Sequence, residues 1–513
     1  MLLSSGIALT ERRQAVTHET RNSPRAAEPA TADKATAEGT HWVLGALFPL
    51  APPATPRTWT QRGMVVAAQI AAVGIGAWVL LLRIPGLPSW DAVYAEDYWA
   101  FLIGAYQHPW KLFVPFGGYE QLLQRVVAQF VSYLPMRDAD VAFAAVGALI
   151  AAGCALFVFH ASSGHIRSVP LRALLATAVI LLSSAPMEIA DSTVAVSFYL
   201  LLAMFWAVLW RPRTTGGMAV AAIVAFVTAA STVIVILFLP LLAIRLIALR
   251  RFREHAVTAG WIAGCLVQLP IVIMSYSQGQ SRLTGYGLPG GSNNKVGNSL
   301  TFYAHDVILR AVGWHLSWRL ESHTGRDSAT VIVAVVLAAV FAVIMATQRG
   351  ARPFVVTALL TGFVFCVVST ILTPWVTVSP VTIQRESAAR YTALPIFLIE
   401  AAVIVGVDYA LRNGPRMRER LVPGGWHARA GLRPALAVLA LLVILATSWA
   451  VDFRYKGIRT VPYSSRWSVT VNLFRTGCVS SPLGEVIVYS PTGESPQQGN
   501  PAYATIPCGR IKL

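Results

Sequence analysis

Long apolar stretches separated by short basic clusters make up most of the chain. A helix crosses the hydrocarbon core of a bilayer in about 20 apolar residues, so these stretches predict about eleven transmembrane helices. The pattern therefore predicts an all-α polytopic membrane protein. The predicted spans lie near residues 64–83, 139–160, 169–185, 193–210, 217–230, 231–249, 256–275, 329–347, 353–373, 391–411 and 432–451.

The division at 217–249 depends on one local feature. The apolar stretch there is too long for a single crossing, and Ala229–Thr232 offers small and polar residues for a turn. The sequence therefore predicts two short helices, which meet at this point.

Residues 84–138, between the first two predicted spans, are too polar to cross the membrane. From Tyr119 to Leu134 the apolar positions follow an i, i+3, i+4, i+7 series, which predicts an amphipathic helix lying in the membrane interface. A second interfacial helix is predicted in "EDYWAFLIGAY", separated from the first by Pro109 and Pro115. The polar face of the longer helix, predicted to face water, consists of Glu120, Gln121, Gln124, Arg125 and Gln129.

Composition and charge support the membrane interpretation and add an orientation. The chain is 55% hydrophobic and only 13% charged, with a mean hydropathy of +0.58 and a net charge of +17. The basic residues form short clusters between apolar stretches rather than a continuous stripe, which argues against nucleic-acid binding. Arginine-rich loops face the cytoplasm by the positive-inside rule, so the N-terminus is predicted inside and the C-terminus outside.

Both ends of the chain are predicted to lie outside the transmembrane domain of residues 64–451. Residues 1–63 are predicted as a disordered cytoplasmic tail, with "HWVLGALFPLAPPATP" resting on the membrane surface. In the extracytoplasmic tail 452–513, "GEVIVYSP" and "AYATIPC" predict two strands, and an oxidising compartment favours a disulfide between Cys478 and Cys508. The tail is predicted to cap the bundle, with acceptor binding as the alternative.

Charged residues suited to group transfer follow three of the predicted spans on the outer side. A carboxylate there can act as a general base on an acceptor hydroxyl, and an arginine can hold a phosphate through paired N–H donors. Helix capping is the alternative role for the Glu-Asp pair. The residues are Asp91, Glu96 and Asp97 after the first span, Glu188 and Asp191 after the third, and Arg385 and Arg390 after the ninth.

A divalent cation is a further possibility that the sequence leaves open. Asp97, Glu96 and one of Glu188 or Asp191 supply the oxygen ligands that such an ion prefers.

The order and placement of four motifs resemble glycosyltransferase superfamily C, and in particular its uncharacterised actinobacterial members. The motifs are "AEDYWAFLIGAY", "FVPFGGYEQLLQRVVAQFVSYLP", "SSAPMEIADSTVAVSFYLLLAMFW" and "AARYTALP", and the resemblance covers roughly residues 60–460. It implies a GT-C-like fold with a catalytic acid in the first extracytoplasmic loop, either Asp97 or Glu96. The Glu-Asp order here differs from the usual Asp-Glu, which leaves the choice between them open.

The resemblance also implies substrate-binding roles at three further landmarks. Arg390 and Tyr391 correspond to an Arg-Tyr pair near the lipid phosphate, and Tyr119 to the Gly-Tyr before the amphipathic helix. Glu188 and Asp191 correspond to a second acidic site.

The predicted function is transfer of a sugar from a polyprenyl-phosphate donor to an extracytoplasmic acceptor of the cell envelope, which would be a glycan, lipid or protein. Two alternatives remain: a transporter or flippase of lipid-linked glycans, and a non-catalytic scaffold for envelope assembly. A transporter is expected to bury acids at mid-membrane between repeated halves, whereas the sequence shows no internal repeat.

Overall fold

The computed structural model describes residues 42–53, 58–83, 97–181, 193, 196–277, 295–372, 389–421, 443, 446–453, 467–481, 484–489 and 503–511. Its contacts divide the chain into a unit Met1–Val43 and a unit Leu44–Leu513. All contacts reported below lie within the second unit.

Helices dominate the described residues. Their bounds are α1 Trp59–Leu81, α2 Ile103–Gln107, α3 Leu122–Val131, α4 Ala139–Ala161, α5 Val169–Leu181, α6 Val196–Leu209, α7 Thr215–Ser231, α8 Leu239–Ala248, α9 Ala256–Ser277, α10 Lys295–Phe302, α11 Trp314–Thr324, α12 Arg326–Thr347, α13 Arg352–Ile371, α14 Ala393–Leu421 and α15 Trp467–Ser480. Two strands, β1 Glu485–Tyr489 and β2 Tyr503–Pro507, pair antiparallel.

Six helical segments of the described residues are long and apolar enough to cross a membrane, so the chain is a helical membrane protein. They correspond to six of the predicted spans. The segments are Trp59–Leu81, Met136–Gly164, Phe252–Ser277, Arg326–Thr347, Arg349–Ile371 and Arg390–Asn413.

The count of eleven spans is not confirmed. Four predicted spans are apolar helical segments of 10–17 described residues, and most of the last, 432–451, lies outside the described residues. The predicted break in 217–249 is confirmed, because α7 ends at Ser231 and Thr232 adopts an extended conformation before a short 3-10 helix and α8. The four shorter segments are Val169–Leu181, Val196–Leu209, Thr215–Ser231 and Val233–Ala248.

Helix α6 lies at the centre of the described bundle. All fourteen of its residues are buried, as expected for a helix that is apolar on every side. Helices α7 and α9 pack closely beside it through small residues. A Cβ at Gly264 would lie only 2.6 Å from the Phe226 carbonyl oxygen, so glycine is what permits this approach.

Part of the predicted disordered N-terminal tail is ordered. Leu47 and Phe48 are almost fully buried in the bundle core, and the Arg211 guanidinium donates a hydrogen bond to the Phe48 carbonyl oxygen at 3.1 Å. Helix α1 also begins within the predicted tail, at Trp59, with a capping box formed by Thr58 and Gln61. The prediction that this stretch rests on the bilayer surface is therefore wrong for Leu47 and Phe48, which pack against protein.

The predicted features of the C-terminal tail are present. Strands β1 and β2 coincide with the two predicted strand sequences, and Cys478 and Cys508 form a disulfide with a Cα–Cα distance of 5.6 Å. The bond joins the end of α15 to the residue that follows β2.

Candidate functional site

The predicted catalytic carboxylate, Asp97, is a buried side chain with two hydrogen bonds from a distant residue. It begins a π-helical turn, Asp97–Leu102, that continues into α2, and only 1% of it is exposed. The backbone N–H of Thr193 donates to Asp97 Oδ2 at 2.8 Å, and the Thr193 hydroxyl donates to Oδ1. The first loop is therefore fixed to the segment that precedes α6.

The predicted amphipathic helix is present as α3, but the side that was predicted to face water is buried. The residues expected to face water are buried, whereas Phe130 on the apolar side is 60% exposed. The prediction is wrong because α3 packs its polar side chains against polar groups of the bundle. The side-chain amide of Gln124, for example, donates to Ser197 Oγ at 2.7 Å.

The residues around the start of α3 are bonded to two helices of the bundle. The backbone N–H of Glu120 donates to Gln268 Oε1 at 3.0 Å, and Gln268 Nε2 donates to the Glu120 carbonyl oxygen at 2.8 Å. The backbone N–H of Leu123 donates to Ser231 Oγ at 3.1 Å. Side chains from α9 and α7 thus satisfy backbone groups that a helix N-terminus leaves unpaired.

The side chain of Glu120, just before the start of α3, is fully buried. Neither oxygen has a hydrogen bond of normal geometry among the described residues, and the closest cation is Arg125, with Nε at 3.6 Å. Burial raises the pKa of Glu120 to about 8, although Arg125 and the Gln121 backbone N–H act in the opposite direction. Burial likewise lowers the pKa of the Arg125 guanidinium. Burial therefore favours the neutral form of Glu120 more than in an exposed carboxyl group.

The sequence predicted Glu120 only as part of a water-facing surface and indicated no role for Gln268. One signal was available, since Gln268 is an amide within a strongly apolar stretch, two residues before Pro270. Polar groups in such a position usually have a partner inside the protein.

Arg390 and Tyr391 form part of a 3-10 turn, Ala389–Thr392, immediately before α14. The Arg390 guanidinium lies 5.7 Å from the centroid of the Tyr391 ring. That ring contacts Phe198 of α6 edge-on, with centroids 6.0 Å apart. The predicted phosphate-binding pair therefore lies beside the start of α6.

The C-terminal tail covers the helix that carries Asp97. Tyr98 packs edge-on against Trp467 and Phe474, with ring centroids 5.5 and 6.3 Å apart. Arg510 donates to the backbone carbonyl oxygens of residues 106 and 107 at the end of α2. The tail packs as a cap on the first loop.

The remaining predicted site residues have other positions or lie outside the described residues. Tyr119 is half-buried, and its carbonyl oxygen accepts the Phe116 N–H in a tight turn where Gly117 and Gly118 have positive φ angles. In the described part of the chain no cluster of three or more His, Cys, Asp or Glu side chains could hold a metal ion. The predicted residues outside the described ranges are Asp91, Glu96, Glu188, Asp191 and Arg385.

One short stretch of chain brings three separate parts of the predicted site together. Thr193 holds Asp97, Ser197 bonds to α3, and Phe198 contacts Tyr391.

The chain matches no protein family and no curated protein.

Proposed function

We propose that the protein is a membrane glycosyltransferase of GT-C-like architecture, with about eleven spans, a cytoplasmic N-terminus and an extracytoplasmic C-terminus. It moves a sugar from a polyprenyl-phosphate donor to an acceptor of the cell envelope. The supporting observation is the meeting of Asp97, α3 and Tyr391 at residues 193–198. The reaction needs a general base and a group that binds the phosphate. Asp97 and Arg390, near the start of α6, supply a carboxylate and a guanidinium for these two roles.

In this proposal Asp97 is the general base and Thr193 is a positioning residue. Thr193 donates a hydrogen bond to each carboxylate oxygen of Asp97, which fixes the orientation of the base. The acceptor hydroxyl gives its proton to Asp97 while its oxygen attacks the anomeric carbon. The bond from that carbon to the phosphate oxygen breaks, the polyprenyl phosphate leaves with the bond electrons, and the transferred sugar is inverted at its anomeric carbon.

Arg390 is proposed to hold the departing phosphate. Its planar guanidinium offers N–H donors spaced to bind two phosphate oxygens together. The position of Arg390 beside Tyr391, next to the helix that follows Thr193, supports this role.

The function is tested by a transfer assay on the purified full-length protein in lipid vesicles. A panel of radiolabelled polyprenyl-phosphate sugars would be offered with envelope glycans and lipids as acceptors, beside protein-free vesicles. We expect transfer from one donor class only. No transfer from any donor by correctly folded protein would contradict the proposal.

Replacing Arg390 by lysine should weaken donor binding more than it slows the chemical step. Lysine keeps the charge but loses the two-pronged donor geometry, so the donor KM should rise about tenfold, which corresponds to one lost charge-assisted hydrogen bond. Steady-state kinetics at varied donor concentration measure this. An unchanged donor KM would remove Arg390 from the phosphate site.

A second candidate function, transport of a lipid-linked glycan, is favoured by Glu400. This side chain lies within the apolar segment Arg390–Asn413 and is 4% exposed, and among the described residues its Oε2 has no hydrogen-bond partner. Ionisable groups at membrane depth are costly and often serve transport. A flipping assay with a fluorescent lipid-linked glycan would support this alternative if movement is lost in Glu400→Gln but kept in Asp97→Asn.

A further inference from the structure

A small basic pocket lies at the end of α6 remote from Thr193. The helix rises about 1.5 Å per residue, so its fourteen residues separate the two ends by about 20 Å. Residues that follow α6 form the pocket together with the starts of α7 and α9 and the end of α8. The lining includes Arg211, Met218, Arg245, Arg253, Glu254 and Val257.

The lining has an excess of positive charge. Three arginines face a single carboxylate, Glu254, and Arg211 already pairs with it through Nη2 at 2.7 Å and Nε at 3.2 Å. Arg245 and Arg253 are left without a carboxylate partner within ion-pair distance among the described residues.

Arg245 has an N–H without an acceptor in a buried position. Only 1% of the side chain is exposed, and its Nη atoms donate to backbone carbonyl oxygens, including those of Trp210 at 3.0 Å and Glu254 at 3.1 Å. Within the part of the chain that the structure describes, its Nε has no hydrogen-bond partner. A buried donor without an acceptor is unfavourable, and an anion in the pocket would supply one.

Two long helices begin at the same pocket. Met218 lies in the first turn of α7, and Val257 is the second residue of α9. Helix N-termini carry partial positive charge, which favours a bound phosphate. The helix starts and the Arg245 Nε therefore both favour a bound anion.

Size and surroundings limit the ligand. The interior has room for about one water-sized group, so it would hold a phosphate oxygen while the rest of the group remains outside. Beside the pocket, Phe252 is 91% exposed and Ile247 is 77% exposed on the adjoining α8. Exposed apolar side chains next to guanidinium groups suit a surface that faces lipid.

We propose that this pocket binds a phosphate group, held by Arg245, Arg253 and the N-termini of α7 and α9. The phosphate belongs either to the headgroup of an anionic membrane lipid or to a free anion, and Phe252 and Ile247 favour the lipid. The site is separate from the proposed transfer site and does not depend on it.

The test uses the purified full-length protein in non-ionic detergent. Thermal unfolding is followed while dioctanoyl phosphatidylglycerol, dioctanoyl phosphatidylcholine or inorganic phosphate is titrated, since a ligand of the folded state raises Tm. We expect a saturable rise with phosphatidylglycerol and little with phosphatidylcholine. An equal rise with inorganic phosphate at the same concentration would support the site and identify a free anion as the ligand.

Variants locate the site. Arg253→Gln should weaken binding about tenfold, because it removes one charged hydrogen bond, whereas Arg253→Lys should bind more tightly than Arg253→Gln. The matched control is Arg349→Gln, which removes an equally exposed arginine that does not line the pocket and should bind as the wild type does. The proposal is overturned by no Tm rise with either anion, by wild-type affinity in Arg253→Gln, or by equal losses in both glutamine variants.

Discussion

Helix α1 exposes most of its apolar side chains, whereas helix α3 buries its polar ones. In α1 the buried residues are Ala77 and Leu80, whereas Ile70 and Trp78 are more than half exposed. In α3 the glutamines and Arg125 are buried, and Phe130 lies outside. An apolar side chain loses little by facing lipid, whereas a buried polar side chain needs a partner inside the protein.

The difference implies that substitutions should be most costly where polar groups point inward. Gln268→Leu removes both hydrogen bonds to the Glu120 backbone and leaves a buried N–H and C=O unpaired. We expect the free energy of unfolding to fall by about 2 kcal/mol. Thermal or denaturant unfolding in detergent measures the loss.

Gln69→Leu is the matched control, since Gln69 is also an amide within an apolar helix but bonds only to His160 at a partly buried position. Its loss should be near 0.6 kcal/mol, the average for a hydrogen bond between membrane helices. Equal losses in the free energy of unfolding would show that the hydrogen bonds between Gln268 and Glu120 stabilise the fold no more than the bond between Gln69 and His160 does.

A smaller effect, visible as a pH dependence, is expected from Glu120. Its folded-state pKa of about 8 exceeds the ordinary value of 4.5, so the folded state holds the proton more tightly than the unfolded state. The stability that this group contributes is complete below pH 4.5 and is lost as the pH rises through about 8.

Glu120→Gln should therefore flatten the fall of Tm over this pH range, because glutamine does not ionise. Asp138→Asn is the control, since that carboxylate lies in the same loop but is 51% exposed. A wild-type slope in Glu120→Gln would mean that another group titrates.

The smallest effect is expected on the outer side of α1. Ile70 is 68% exposed, and Ile70→Ala should change the free energy of unfolding by no more than about 0.5 kcal/mol. A loss near that of Gln268→Leu would indicate that this side packs against a partner, and crosslinking from position 70 would then identify it.

The sequence predicted elements whose signal is local. The apolar lengths of α1, α9 and α12, the turn after Ser231, and strands β1 and β2 all follow from residues close together in the chain. The Cys478–Cys508 pairing also followed, because only two cysteines lie in the polar tail.

The orientation of α3 could not be predicted in the same way. Amphipathicity gives two faces but does not say which one meets protein, and the answer depends on Ser197, Ser231 and Gln268, which are 73–148 residues away in the chain. For the same reason the sequence drew attention to Asp97 but not to the Thr193 that holds it.

The turnover of Asp97→Asn decides whether this buried carboxylate performs the chemistry. The substitution keeps the size of the side chain but removes the base, so kcat should fall at least about 100-fold, while Asp138→Asn keeps wild-type turnover. Both proteins should insert and unfold normally in the same lipid. Full turnover in Asp97→Asn would show that Asp97 is not the base.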